Sequence, residues 1–365
     1  MPRTASQVCL HGASHAAHRL NTSTRLHLLQ IGPGLSMLLF LLGCAASRQT
    51  PQPLPTDPKQ VWPAPPDAPR VTHVHNIGRP ADVGVRISGL GRLANWMTGG
   101  DRGNEKLIKP FGLAVDENDN LCLTDTGANA VCYFDRAKNT WKRWDKIGQA
   151  RFVSPVAAAI RQGLIFVADS GRASIVVFNS KGQLQHEITN HLARPSGLTI
   201  VADRLLVVDS QRHCVIAFDL TGRYLSEWGH RGSGPGEFNF PTHIAADRDD
   251  NLYITDSMNG RIQVFDPTGN FKSQIGSIGD SPGSFGRPKG VAVDSFGHVY
   301  VVDALFDNVQ IFDGQGRFLL NLGESGNGAG QFWLPNGIAI NSRNEIFVAD
   351  SYNHRVQVLK YIGQP

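Results

Sequence analysis

From residue 110 onward the apolar residues fall into short runs of strand length, separated by polar turns. The stretch Pro241–Ser277, PTHIAADRDDNLYITDSMNGRIQVFDPTGNFKSQIGS, shows the unit. THIAA alternates and ends at Asp247; LYIT follows Asp249-Asp250-Asn251; RIQVF follows the loop Asp256–Gly260; FKSQIGS follows the turn Asp266–Gly269. Each run is β-branched or aromatic, and each gap carries turn residues, so the pattern predicts four short antiparallel strands. Alone, such a unit leaves a sheet face and two edges bare, so it needs neighbours.

The neighbours are copies of itself. The start recurs at Pro110, Pro155, Pro195, Pro241, Pro288 and Pro335, at spacings of 45, 40, 46, 47 and 47 residues. The middle recurs as LYITDSMNGRIQVF (252–265) and IFVADSYNHRVQVL (346–359), with four further variants. Four strands in a fixed period of this length predict an all-β chain, a six-bladed β-propeller of four-stranded antiparallel blades. The pattern P-x-G-I-A-V-D … L-Y-V-x-D-S-x-N-x-R-V-Q-V-F resembles the NHL repeat; residues 288–312 and 335–358 follow it closely, and 155–178 depart from it. The resemblance covers residues 110–365 and implies the fold. It does not name a function, because one fold hosts many.

Ahead of the repeats the pattern changes twice. Residues 1–43 carry Arg3, Arg19 and Arg25, no other charge, and an apolar run from Leu35 to Leu42. A basic flank and a short apolar core predict a signal peptide, and the run is too short to span a bilayer. Leu41-Leu42-Gly43-Cys44 resembles a bacterial lipobox, which implies lipidation at Cys44 and a cell-envelope location, periplasm-facing or at the outer membrane. Residues 44–69 hold eight prolines and predict an extended tether, because proline removes donors and fixes φ. The propeller is expected over 70–365. Its sixth blade lacks room for an outermost strand, and Val71–Ile77 is expected to supply it, so that an N-terminal strand closes the ring and covers an open edge. Ile87–Met97 reads as a short helix.

Composition narrows the partners. The leader carries three of the four net positive charges, so the remaining chain is nearly neutral and no polyanion is implied. An exported protein does not meet RNA, so nucleic acid is not an expected partner. Cys122 and Cys132 lie on adjacent strands; a disulfide and two buried thiols remain open alternatives, to be decided by cross-strand register. No CxxC or Cys/His spacing of a metal site appears.

Candidate chemistry gathers on the face that carries the loops between strands b and c and between successive blades. Six aspartates open the b–c loops: Asp125, Asp169, Asp209, Asp256, Asp303 and Asp350. Asp at a turn accepts backbone N–H bonds, so these read as fold rather than catalysis. The glycine-rich loops, such as Gly229–Phe238, lack the strand-to-helix context and Lys of a phosphate loop, and Phe238, Phe285 and Phe332 read as wedges between blades. Two residues after the repeat proline stand Gly112, Ala157, Gly197, His243, Gly290 and Gly337, so one blade alone places a histidine near the channel. On the same face a cationic set is expected to bind: Arg172, Arg212, His230, Arg231, His243, Arg261, Lys289 and Arg355, joined by His213, Arg287 and His354.

These features predict a binding or scaffold module, exported and lipid-anchored, whose loop face takes a protein or an anionic ligand without a cofactor. The alternative is a metal-dependent lyase or lactonase-type hydrolase with a divalent metal at the channel. Peptide-amidating lyases and lactonase-like propellers resemble this repeat class, and that likeness makes His243 the metal candidate, with Asn308 and Asn336 as further ligands.

Overall fold

The computed structural model describes residues 60–85 and 106–363. The expected leader, Cys44, most of the tether and the Ile87–Met97 helix lie outside them. Among the described residues no helix is long and apolar enough to cross a membrane.

Six sheets form the blades, and in five of them antiparallel strands a to d run in sequence order from the channel outward. Blade 1 is Pro110–Val115, Leu121–Asp125, Ala130–Asp135 and Thr140–Trp144. Blade 2 is Pro155–Arg161, Leu164–Asp169, Ser174–Asn179 and Leu184–Ile188; blade 3 is Pro195–Val201, Arg204–Asp209, Cys214–Asp219 and Tyr224–Trp228. Blade 4 is Pro241–Ala246, Leu252–Asp256, Arg261–Phe265 and Phe271–Ile275; blade 5 is Pro288–Val293, Val299–Asp303, Asn308–Phe312 and Phe318–Leu322. Blade 6 takes Ile338–Ile340, Glu345–Asp350 and Arg355–Tyr361 from the C-terminal end and Val71–Ile77 from the N-terminal end. The closing strand pairs from Val71 opposite Tyr361 to Ile77 opposite Val356, as expected. A fifth strand, Val61–Trp62, pairs with Val71–Thr72, and Trp62 packs on the core between blades 5 and 6. The stretch read as tether up to residue 69 is therefore partly sheet, because Val61 and Trp62 bring apolar surface that pairs with an edge.

Strands b and c are almost wholly buried, since each blade is covered on both faces by its neighbours. Phe238, Phe285 and Phe332 have no exposed surface; Phe238 stacks near Phe265 at 5.7 Å and Phe285 near Phe312 at 5.6 Å. Phe152, three residues before its repeat proline like the others, fills the same place between blades 1 and 2. Close approach of the inner strands explains the small residues beside the channel. A Cβ on Gly337 would lie 2.2 Å from the Phe111 carbonyl oxygen, and one on Gly112 would lie 2.4 Å from that of Val156. The ring is sewn shut where its ends meet: Gly337 N–H donates to the Phe111 carbonyl at 2.9 Å, and Ser351 Oγ donates to that of Pro110 at 2.6 Å.

Register settles the cysteines. Cys122 faces Tyr133 and Cys132 faces Leu123, one step out of phase, so their side chains enter opposite faces of the sheet and separate core clusters. They are thiols, and the disulfide alternative is corrected.

Candidate functional site

The b–c aspartates are turn acceptors. Asp169 takes N–H bonds from Val153 and Ser154 at 2.7 and 2.8 Å, and Asp209 takes them from Ala193 and Arg194 at 2.7 and 2.8 Å. Asp303 does the same for Gly286 and Arg287 at 2.7 and 3.0 Å. Each carboxylate thus fixes the loop that leads into its own blade. This positions the residue before the repeat proline at the channel mouth.

Most of the expected cationic face is already paired. Arg261 is buried; its Nε meets Asp256 at 2.9 Å, and a terminal nitrogen donates to the carbonyls of Gly234 and Glu237 at 2.8 and 3.1 Å. Arg355 repeats this with Asp350, Gly328 and Gln331 at 2.8, 2.6 and 2.9 Å. Gln263, two residues after Arg261, is fully buried and bonds Gly236 N–H at 2.9 Å and the Glu237 carbonyl at 2.7 Å. The R-x-Q of the repeat therefore pins the glycine-rich loop, and Arg261 and Arg355 are structural. Arg172 pairs with Glu187 at 2.7 Å, Arg212 with Glu227 at 2.9 Å and His230 with Glu237 at 3.3 Å. His213 accepts the Phe240 N–H at 3.1 Å, and His354 lies on the Ile108 carbonyl. Arg231 is exposed on the outer loop. None of these residues lines the channel mouth.

Lys289 and His243 do. They belong to a cavity of about 420 Å³ on the loop face, lined also by Arg194, Arg287, Phe111 and Phe240. The full lining contains three cations and no carboxylate. Among the described residues no hydrogen bond or ion pair involves the side-chain nitrogens of Arg194, Arg287 or Lys289. Burial first, and Arg287 second, depress the Lys289 ammonium to about 8. His243 reaches from blade 4 across the channel to stack on Phe111 of blade 1, with ring centroids 6.5 Å apart and planes at 23°. The residue keeps some exposure, yet both ring nitrogens are sealed from solvent and have no partner, and Thr242 Oγ1 beside them is also unpartnered. Burial, with Lys289 adding to it, depresses this imidazole to about 3, so it is neutral at physiological pH.

Several hydroxyls at the same mouth are committed. Ser170 Oγ donates to the Pro195 carbonyl, Ser257 Oγ to that of Pro288 at 2.9 Å, and Ser196 Oγ to those of Val208 and Pro241, both at 3.2 Å. These bonds tie blades together. Among the described residues, donors left for a ligand include Arg194, Arg287, Lys289, Ser154 and the Thr242–His243 pair. A larger-charged cleft between blades 6 and 1 is self-satisfied by comparison: Arg343 meets Asp119 at 2.9 Å and Glu345 at 2.8 Å.

Arg194 was not in the expected set. Its signal is positional. Most residues just before or just after a repeat proline line the mouth, and among them Arg194, Arg287 and Lys289 are the cations, while Lys109 turns to Tyr352 instead. A metal does not fit this lining. His243 is its sole imidazole, and among the described residues no three His, Cys, Asp or Glu side chains converge. Asn308 and Asn336 are not in the cavity, although each has a buried, unpartnered Oδ1.

Comparison with known proteins agrees on the architecture. Residues 332–359 match the NHL repeat, and residues 189–252 and 245–305 match a family described as a 6-bladed beta-propeller. Among solved structures, virginiamycin B lyase from Staphylococcus aureus is 15% identical, with a TM-score of 0.52 over 70% of this chain and 96% of its own. A gluconolactonase from Xanthomonas campestris is 17% identical, with a TM-score of 0.55 over 85% of this chain and 99% of its own. An auxiliary nutrient binding protein from Bacteroides thetaiotaomicron is 15% identical, with a TM-score of 0.56 over 70% and 69%. At these identities the likeness is one of fold: the chain is a six-bladed β-propeller whose last blade matches the NHL repeat.

Proposed function

We propose that this propeller is a binding module that takes an anionic ligand at its channel mouth. The observation that carries the reading is the set of three cations, Arg194, Arg287 and Lys289, around a cavity whose lining holds no carboxylate. Lys289 is half-buried without an acceptor, Arg194 and Arg287 stand exposed beside it, and an anion is the group that all three cations can share. Guanidinium groups offer forked donors for a carboxylate or phosphate, while the ammonium adds a point charge. The basic leader and the lipobox-like Leu41–Cys44 support an exported chain anchored by lipid at Cys44, with the Pro-rich stretch as spacer. A metal-dependent hydrolase or lyase lacks a donor set here.

Calorimetric titration with inorganic phosphate, acetate and pyruvate tests the site. Binding of at least one anion, weakened by salt and abolished in R194Q/R287Q/K289M, supports it. No heat with any of the three, or heat unchanged in the triple variant, overturns it.

A further inference from the structure

We propose that Lys289 is a reactive amine that holds the carbonyl group of a 2-oxo acid as a Schiff base in the channel mouth. The inference rests on the anion-binding reading and names the ligand class. An imine-forming lysine needs a neutral fraction, freedom from acceptors that would hold its proton, and an anchor for the rest of the substrate.

Lys289 meets these needs through its surroundings. Its side chain lines the cavity, while its backbone carbonyl is the part held in place, by Thr255 Oγ1 at 2.7 Å. Arg287 stands two residues before it and lines the same cavity. Two cations side by side with no carboxylate favour loss of the weaker proton, which is the lysine's, because a guanidinium does not deprotonate. Phe111, Val156, Phe240 and Met258 supply apolar walls. With the ammonium depressed to about 8, neutral amine at pH 7 is on the order of 10² times more abundant than at an ordinary lysine.

A 2-oxo acid suits both halves of the cluster. Its carboxylate fits the forks of Arg194 and Arg287, which leaves the adjacent carbonyl carbon for the Lys289 amine. His243, neutral and unpartnered, offers a ring nitrogen to the amine or the carbonyl oxygen. The ammonium first gives a proton to solvent. The amine nitrogen then forms a bond to the carbonyl carbon, and its own proton moves to the former carbonyl oxygen, giving a carbinolamine. That hydroxyl takes back a proton from solvent and leaves as water while the C=N bond forms. Ammonium and ketone thus become iminium and water, with no change in net charge and no oxidant or reductant.

The experiment treats the purified chain with pyruvate and cyanoborohydride, which reduces an imine to a stable amine, and locates the product by peptide mass mapping. The expected result is one adduct per chain at Lys289. It forms about tenfold or more faster than at exposed lysines such as Lys138 and Lys272, with a rate that levels off above about pH 8. K289R, which keeps the charge and loses the nucleophile, gives no adduct at this site, whereas K272R at an exposed lysine leaves the Lys289 adduct unchanged. Labelling spread over exposed lysines at one common rate overturns the proposal. So does calorimetric binding of pyruvate without any trapped adduct, an outcome that leaves the anion site standing. Absence of both binding and adduct removes both readings.

Discussion

The outer rim and the channel mouth of the loop face carry the same kinds of side chain and use them in opposite ways. On the rim, Arg261 and Arg355 each spend their donors on a buried aspartate and on loop carbonyls. At the mouth, Arg194, Arg287 and Lys289 share a cavity with no carboxylate in its lining. Charge counted along a sequence does not distinguish the two groups; the acceptors do. A paired, buried cation stabilises the loop that it pins; at the mouth Arg194 and Arg287 are exposed to water, and the half-buried Lys289 costs stability until a ligand arrives.

Substitution sharpens this contrast, and the largest effect belongs to the rim. Arg261→Met leaves the buried Asp256 without its cation, so chemical denaturation should show a loss of about 3–5 kcal/mol. At the mouth the sign reverses. Lys289→Met should stabilise the chain by about 1–3 kcal/mol at pH 7, since it removes a half-buried charge that lacks an acceptor. The pH dependence follows from the lowered lysine value. Between about pH 8 and 10.5 the unfolded chain binds the Lys289 proton and the folded chain does not, so wild-type stability gains from this group as pH rises, and K289M lacks that gain.

His243 gives a smaller effect in a different window. Below 6.5 the unfolded histidine takes up a proton that the folded one refuses until about 3. Wild type should therefore lose about 2 kcal/mol through this group between pH 7 and pH 5, and His243→Gln should be flatter over that range in denaturant titrations. The smallest change is expected at Arg212, whose partner Glu227 is about as open to solvent as itself; Arg212→Ala should move stability by about 1 kcal/mol or less. A large loss there would break the division between rim and mouth.

The fold was legible because the repeat states it six times, in strand length, turn residues and period. The closing strand was legible by subtraction: a blade short of one strand and an unassigned Val71–Ile77 with strand character. The wedge phenylalanines follow from their fixed distance to the repeat proline. The site was only partly legible. His243 stood out because it replaces a small residue, and Lys289 and Arg287 were on the expected face. Arg261 and Arg355 were misread as binding cations because their acceptors, carbonyls of a loop 24 and 27 residues earlier, carry no side-chain signature. Arg194 was missed because its role depends on which loop residue Asp209 turns toward the channel. The pairing of Cys122 and Cys132 turned on a one-residue register that turn length alone does not set.

Thermal unfolding of wild type and K289M at pH 7, with and without inorganic phosphate, tests the unsatisfied mouth most directly. The account predicts that K289M melts above wild type without phosphate, and that phosphate raises the wild-type midpoint while leaving K289M nearly unmoved. A K289M midpoint below wild type, together with an equal phosphate shift in both proteins, would contradict it.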